Sequence, residues 1–177
     1  MENNLIKVKS LGDSNGILEV FEGRKKVYET NCLLGKNGVT MDKKEGDFKT
    51  PVGKFNLGLA FGTHNKDEFK NFDYQKLNRN LYWVDDVDSK YYNKLVDISK
   101  TEKDWKSAEH LIRYLTQYEY AIEIKANEKN IKGKGSAIFL HCSNGNATSG
   151  CVAMPKESMQ YILKKCTKND LIIIEYI

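Results

Sequence analysis

The sequence predicts a mainly β protein with a few helices, arranged as one domain over residues 1–177. Short segments rich in β-branched and aromatic residues recur along the chain, and glycine-rich turns separate them. Only two segments place apolar residues at helical spacing. The length suits one domain, and a hydrophobic fraction of 40% is sufficient for a core.

The first third of the chain predicts a small antiparallel meander. Its strands are Leu5–Leu11, Ile17–Phe21 and Lys26–Leu34, in which apolar and polar residues alternate. Turn-forming residues fill Gly12–Gly16 and Glu22–Arg24 between them. Neighbouring strands joined by such short turns pair antiparallel.

The middle of the chain is less regular. Gly35–Gly53 predicts a polar, glycine-rich loop, and Lys54–Ala60 predicts a strand after it. Residues 64–100 show no clean period, so we expect a long irregular insertion, which at that length has a functional role. Glu102–Tyr118 predicts a helix, because apolar residues recur there at helical spacing. These residues are Trp105, Ala108, Leu111, Ile112 and Leu115.

The last third predicts two strands, a helix and a closing strand. The strands are Tyr120–Ile124 and Ala137–His141, and the chain closes with Leu171–Tyr176. Pro155–Lys165 predicts an amphipathic helix, since proline suits a first helical turn and apolar residues follow at i, i+3, i+4 and i+7. Those apolar residues are Met159, Ile162, Leu163 and Cys166.

Composition excludes several classes of function. Lys and Arg number 28 against 24 Asp and Glu, which gives a net charge of +4 and predicts mild attraction to anionic polymers. The chain has no dense basic tract and no glycine-rich phosphate loop, so no nucleic-acid partner is expected. No apolar run approaches the roughly 20 residues that span a bilayer. The first residues show no signal peptide, which by itself would favour the cytoplasm.

The four cysteines do not form a disulfide pattern, because their spacings include no Cys-x-x-Cys pair. Cys32 and Cys166 lie on apolar faces of a predicted strand and a predicted helix, so we expect both in the core. Cys142 follows His141 in a strand and therefore points to the opposite face. Cys151 remains as the cysteine with a distinctive neighbourhood.

The segment Ile138–Pro155 contains a candidate catalytic pair. A strand ends at His141, a polar loop reverses the chain, and Gly150-Cys151 follows ten residues after the histidine. An adjacent imidazolium stabilises a thiolate nucleophile, and main-chain N–H groups beside a glycine are accessible to an oxyanion. A cysteine and a histidine at this spacing also occur without catalysis, so the pair alone leaves both interpretations open.

A zinc site is a second interpretation of the same segment. Its ligands would be His141, Cys142, Cys151 and Cys166. Their spacing matches no common pattern of structural zinc sites, so no metal is expected.

Several motifs resemble those of the L,D-transpeptidase (YkuD/ErfK) family. Thr148–Met154, preceded by His141, resembles the family's nucleophile segment, in which Ser or Thr, one residue, Gly and Cys follow an upstream histidine. Glu45–Gly53 resembles its EGD-x-x-TP-x-G loop. Tyr82–Asp86 and Ser89–Asn93 resemble the W-x-D-D and S-x-YYN segments of one branch.

The resemblance covers residues 11–177. Gly135–His141 resembles the strand that enters the active site in the same branch. Two features differ from the best-known members: Ser149 stands where they have a second histidine, and the separation between His141 and Cys151 is shorter. Both differences indicate a divergent branch.

The resemblance implies a fold and a reaction. The fold would be a YkuD-like β-sandwich or mixed β domain, with the active-site loop between a strand and a helix. Cys151 would form a thioester with a peptidoglycan stem tetrapeptide, and an amine of a second stem would then form a cross-link between third-position residues. His141 would hold the thiolate as an ion pair and serve as base and acid. The main-chain N–H groups of Cys151 and Gly150 would hold the oxyanion, and the Cys142 carbonyl would orient the imidazole.

The resemblance also implies binding residues, partners and a location. Residues 64–100 would cover the donor cleft, with Trp83, Tyr91, Tyr92 and Asn93 on the stem peptide and Ser149 beside the nucleophile. The alternative is that these aromatic residues form a satellite core under a long loop. Partners would be stem peptides, with carbapenem-type β-lactams as inhibitors and no cofactor. The domain would work outside the cytoplasm, and any membrane contact would come through an anchor missing from this chain.

Three other functions compete with transpeptidation. Water in place of the amine would make the protein an L,D-carboxypeptidase. A sortase-like enzyme would need an arginine after the cysteine, but no arginine follows Arg113. A non-catalytic domain that binds the cell wall is the third alternative.

Overall fold

The computed structural model describes residues 3–177, and in this part of the chain strands predominate. One α-helix, α1, covers Lys156–Lys165, and three 3-10 turns cover Lys66–Phe69, Leu111–Arg113 and Gln117–Glu119. The strands in chain order are β1 (Asn4–Ser10), β2 (Asn15–Glu22), β3 (Lys25–Leu33), β4 (Val39–Thr40), β5 (Thr50–Pro51), β6 (Gly53–Gly62), β7 (Tyr74–Lys76), β8 (Leu81–Val84), β9 (Leu95–Asp97), β10 (Ala108–His110), β11 (Tyr120–Ile124), β12 (Phe139–Cys142), β13 (Val152–Met154) and β14 (Leu171–Tyr176).

Nine strands form one sheet in the order β11-β12-β13-β3-β2-β1-β14-β6-β7. The first half of β6 pairs with β14, and its second half pairs with β11, so the sheet closes on itself. The predicted mainly β fold is confirmed, and so is the N-terminal meander, because β1, β2 and β3 pair antiparallel in sequence order.

The main core lies inside this closed sheet and under α1. Alternate residues of the strands point inward, as the period of a strand requires. Helix α1 packs against β11 and β12 through its buried residues Met159, Ile162 and Leu163. Of the residues described, none belongs to a helix that is both long and apolar enough to cross a membrane.

A second core lies on the other side of β6, β11 and β12. There, the small sheet β10-β8-β9 covers aromatic residues of the main sheet. Phe61 and Phe139 meet edge to face with their ring centroids 4.9 Å apart, and Trp83 meets Phe139 in the same way at 4.8 Å. Cys151 belongs to this second core.

The predicted helix over Glu102–Tyr118 is wrong. Asp86 accepts a hydrogen bond from the main-chain N–H of Lys106 at 2.6 Å, and β10 pairs antiparallel with β8. Trp105 is buried in a small cluster with Val84 and Val96. The apolar residues at helical spacing therefore lie in an extended strand and in the 3-10 turns that follow it. Pairing of that strand with β8 outweighs the weak local preference for a helix.

The prediction that residues 64–100 are irregular is wrong in part. This segment contains β7, β8 and β9, and β8 and β9 pair antiparallel. Strands of three or four residues are too short to give a readable period of two. The helix after Pro155 and the closing strand β14 agree with the predictions.

Candidate active site

Strands β12 and β13 bring His141 and Cys151 to one cavity of about 460 Å³. The two strands are parallel neighbours in which Leu140 pairs with Val152, so Cys151 lies at the level of Phe139. The main-chain N–H of Phe139 points at the Cys151 sulfur, 3.4 Å away. The nine-residue segment between the strands thus returns the chain to place the thiol on the same side as the imidazole.

The imidazole of His141 is oriented by main chain. Its Nδ1 lies 2.8 Å from the carbonyl oxygen of Cys142. Because a carbonyl can only accept, Nδ1 carries the proton, and Nε2 of the neutral ring keeps its lone pair. The ring edge of Tyr118 packs against the imidazole with centroids 5.5 Å apart. The side chain of Cys142 itself lies in the main core on the opposite face.

Burial favours the uncharged forms of both Cys151 and His141. The Cys151 thiol donates to the carbonyl oxygen of Ala137 at 3.2 Å, and burial raises its pKa to about 12. The nearby carboxyl of Glu109 acts in the same direction, while burial lowers the pKa of His141. Burial in this cavity therefore disfavours both charges of the expected thiolate–imidazolium pair.

One of the two main-chain N–H groups that were expected to hold the oxyanion, that of Gly150, already has an acceptor. The Gly150 N–H donates to the Thr148 hydroxyl at 3.1 Å and is already in use. The Cys151 N–H has no acceptor within residues 3–177. Hydroxyls of Thr148 and Thr50 bind the Cys151 carbonyl at 2.7 and 3.3 Å, which fixes this peptide.

Gly150 has a conformation that suits glycine alone. Its φ is +147°, and a Cβ there would lie 3.1 Å from both the Lys49 carbonyl oxygen and the Ile138 side chain. A side chain at this position would therefore strain the backbone and push against the loop that precedes β6. Glycine lets the nucleophile segment pack directly on that loop.

Two of the residues expected on the substrate lie behind the cavity wall. Asn93 Oδ1 accepts from the indole N–H of Trp83 at 3.0 Å and from the main-chain N–H of Ala137 at 3.1 Å. Neither Trp83 nor Asn93 lines the cavity that contains Cys151. Together they hold Ala137, whose carbonyl receives the thiol hydrogen bond.

Tyr91 and Tyr92 also lie outside the cavity lining. Tyr91 packs edge to face on Trp105, and the Tyr92 hydroxyl donates to the Glu45 carboxylate at 2.5 Å. The interpretation of these aromatic residues as a satellite core agrees with this placement. Ser149, by contrast, does line the cavity beside Cys151.

Three of the cavity residues that the sequence analysis missed are ionisable and lie near Cys151. Glu109 and Tyr118 fall inside the segment interpreted as a helix, and Lys43 lies just before the Glu45–Gly53 motif. The Tyr118 hydroxyl donates to the Glu109 carboxylate. Burial raises the pKa of Glu109 to about 7, and the charge of Asp85 adds to this effect. No sequence signal near Glu109 distinguishes it from a solvent-exposed acid.

The residues of the alternative zinc site do not converge. Cys142 and Cys166 lie in the main core, whereas Cys151 lies in the second core. Across residues 3–177, no group of three or more His, Cys, Asp or Glu side chains is arranged to hold a metal ion.

Comparison with known proteins decides the family. The family model of the L,D-transpeptidase catalytic domain, YkuD, matches residues 12–174, which is most of the chain. This chain belongs to the YkuD family. YkuD domains are cysteine-dependent L,D-transpeptidases that act on peptidoglycan. No curated protein matches the sequence.

Two solved structures are similar to this YkuD domain, and the first of them supports its fold. The helical cell shape determining protein Pgp2 from Campylobacter jejuni matches with a TM-score of 0.50 and 18% identity, over 98% of this chain and 48% of that one. An L,D-transpeptidase from Mycobacterium smegmatis matches with a TM-score of 0.47 and 11% identity, over 98% of this chain and 58% of that one. The YkuD domain thus spans about half the length of these proteins.

Proposed function

We propose that this YkuD domain is a peptidoglycan L,D-transpeptidase that forms a thioester on Cys151 and cross-links third-position residues of two stem peptides. The observation that carries the proposal is the orientation of His141. Its Nδ1 is occupied by the Cys142 carbonyl at 2.8 Å, so the basic Nε2 is left for the cavity that contains the Cys151 thiol. A base with a fixed tautomer beside a nucleophile is the arrangement that acyl transfer requires.

In the first step the Cys151 sulfur attacks the carbonyl that joins the L-centre of the third residue to D-alanine. Because both groups are neutral at rest, His141 Nε2 takes the thiol proton as the S–C bond forms. The negative oxygen of the tetrahedral intermediate accepts a hydrogen bond from the Cys151 N–H. The imidazolium then protonates the nitrogen of D-alanine, the C–N bond breaks, and a thioester and free D-alanine result.

In the second step an amine of another stem attacks the thioester. His141 accepts a proton from the attacking nitrogen, the C–S bond breaks, and the proton returns to Cys151. Asp85 and Glu109 line the cavity and give that wall a negative potential at pH values above about 7, where Glu109 is ionised. This charge attracts a cationic acceptor such as the side-chain ammonium of a diaminopimelate residue, and it favours an amine over water as the acceptor.

The proposed substrate implies where the domain acts and which cellular role it has. Peptidoglycan lies outside the cytoplasmic membrane, so the domain acts there. Pgp2 of Campylobacter jejuni is described as a protein that determines helical cell shape. We extend that role to this domain as part of the proposal, since cross-linking changes the shape that a wall can hold.

A purified disaccharide-tetrapeptide tests the proposal. Wild-type protein should release D-alanine and produce a cross-linked dimer, detected by mass spectrometry, and Cys151→Ala should produce neither. Cys32→Ala removes a buried thiol of the main core that does not line the cavity, and this variant should retain activity. Tripeptide monomer without dimer would identify an L,D-carboxypeptidase, and no turnover by wild type would overturn the enzymatic proposal.

β-Lactams give a second test that needs no acceptor. The structure of L,D-transpeptidase 3 from Mycobacterium tuberculosis contains a faropenem-derived adduct. A carbapenem should add its mass once to wild-type protein and to Cys32→Ala, and not at all to Cys151→Ala. An equal adduct on Cys151→Ala would exclude Cys151 as the acylated residue.

A further inference from the structure

The side chain of Lys43 runs along the cavity wall toward the nucleophile. It passes Gly135, where a Cβ would lie 2.9 Å from Lys43 Cγ, and it ends near Gly150, where a Cβ would lie 3.5 Å from Nζ. Both glycines have positive φ, +98° and +147°. Because Gly135 and Gly150 have no side chains, the lysine has room to reach the peptide that precedes Cys151.

The ammonium group of Lys43 is held in place and is only partly used. It donates to the Asp47 carboxylate and to the Lys44 carbonyl oxygen, the latter at 3.2 Å. Asp47 in turn accepts the main-chain N–H groups of Lys44 and Lys49, both at 2.8 Å. An ammonium has three N–H donors, and within residues 3–177 only two of those of Lys43 have acceptors, namely Asp47 and the Lys44 carbonyl oxygen. The Lys43 side chain is 11% exposed and lines the cavity, so an anion in the cavity can approach the remaining donor.

Lys43 is also the one Lys or Arg among the described residues that line this cavity. The other charged lining residues are the acids Glu45, Asp85 and Glu109. An anionic group that enters the cavity can therefore form an ion pair there with Lys43 alone. The ammonium also lowers the pKa of the Cys151 thiol, although burial outweighs this effect.

We propose that Lys43 binds the terminal carboxylate of the donor peptide, which is the carboxylate of the residue that leaves. This inference rests on the proposed function. When Cys151 attacks the last peptide bond of a stem, the free carboxylate lies one residue beyond the scissile carbonyl. A cation fixed beside Gly150 is within reach of it. Lys43 would thus restrict the donor to peptides that end directly after the scissile bond.

The test measures binding in Cys151→Ala, so that it does not depend on turnover. Two stem tetrapeptides are compared by isothermal titration calorimetry, one with a free terminal carboxylate and one with a terminal carboxamide. The carboxamide should bind about ten- to a hundredfold more weakly to Cys151→Ala, as expected for a lost charged hydrogen bond. In Cys151→Ala with Lys43→Met the two peptides should bind equally, and the carboxylate peptide should lose the same factor.

Two controls keep this result specific. Lys44→Met removes the neighbouring, exposed lysine and should preserve the carboxylate preference. Lys43→Arg keeps a cation and should retain most of the preference even if Lys43→Met disturbs the loop. A preference for carboxylate that survives Lys43→Met, or no binding of either peptide to Cys151→Ala, would overturn the proposal. If Cys151→Ala prefers the carboxylate peptide but wild-type protein shows no turnover, the proposed function is refuted and the assignment of Lys43 as a carboxylate site is retained.

Discussion

The Cys151 thiol donates to the main-chain carbonyl of Ala137 at 3.2 Å, and Ala137 is held from behind by the side chain of Asn93. Asn93 has a left-handed φ of +57°, which asparagine tolerates better than most residues. Its amide oxygen also accepts the Trp83 indole N–H. The position of the Cys151 side chain thus depends on a hydrogen-bond network whose side chains, Asn93 and Trp83, lie outside the cavity lining.

Replacement of Asn93 should destabilise the protein and displace Ala137. Asn93→Ala leaves the N–H groups of Trp83 and Ala137 without an acceptor, so we expect a loss of about 2–4 kcal/mol in the free energy of unfolding. Urea denaturation measures it. Asn93→Asp keeps the accepting oxygen and should lose less. Equal losses for the two variants would contradict this account.

The protonation state of Cys151 should be visible in its alkylation rate. Burial raises the thiol pKa to about 12, so at pH 7 the reactive thiolate is scarce. We expect slow reaction with iodoacetamide at pH 7 compared with a free cysteine peptide. The rate should still be rising above pH 10. A plateau that begins near pH 6 would show instead that a thiolate–imidazolium pair forms in the free protein.

Glu109 should make stability depend on pH. Burial raises its pKa to about 7 from 4.5, so the folded protein binds the proton more tightly than the unfolded chain does. This contribution to stability is complete below pH 4.5 and is lost as pH rises through 7. Tyr118, Asp85 and Cys151 face the carboxyl, and none of them supplies a positive charge.

Glu109→Gln should therefore stabilise the protein at high pH and not at low pH. Glutamine can still accept the Tyr118 hydroxyl, and it carries no charge to desolvate. We expect Glu109→Gln to exceed wild type by about 1–3 kcal/mol at pH 8 and by little at pH 4.5 in urea denaturation. Glu102→Gln, at an exposed position, is the control and should match wild type at both values. A pH-independent difference would refute the assignment.

Gly150→Ala should impair both folding and acylation. The methyl group would meet the Lys49 carbonyl oxygen and Ile138 at 3.1 Å in a backbone conformation with φ of +147°. We expect a loss of about 1–3 kcal/mol in stability and slower carbapenem adduct formation. Gly145→Ala, in the same loop with φ of +86° but with open space around it, measures backbone strain alone. Equal acylation rates in the two variants would show that close packing at Gly150 is not required.

The spacing of apolar residues in the sequence was sufficient to predict those strands and helices in which this spacing coincides with the buried face. The meander of β1, β2 and β3 and the helix α1 match their predictions because alternation and helical spacing there coincide with the buried faces. The helix over Glu102–Tyr118 failed for the opposite reason. Its spacing was helical by coincidence, and contacts with β8 and Asp86, some twenty residues away, keep it extended.

The sequence by itself determined the mainly β class and the family motifs, and it predicted His141 and Cys151 as the reactive pair, since these depend on residues close together in the chain. Tertiary structure decided which residues surround that pair. Lys43 and Glu109 come from distant segments and meet Cys151 only because the sheet closes and the small sheet covers it. Burial in that cavity also favours the neutral forms of both side chains, and burial depends on the whole fold.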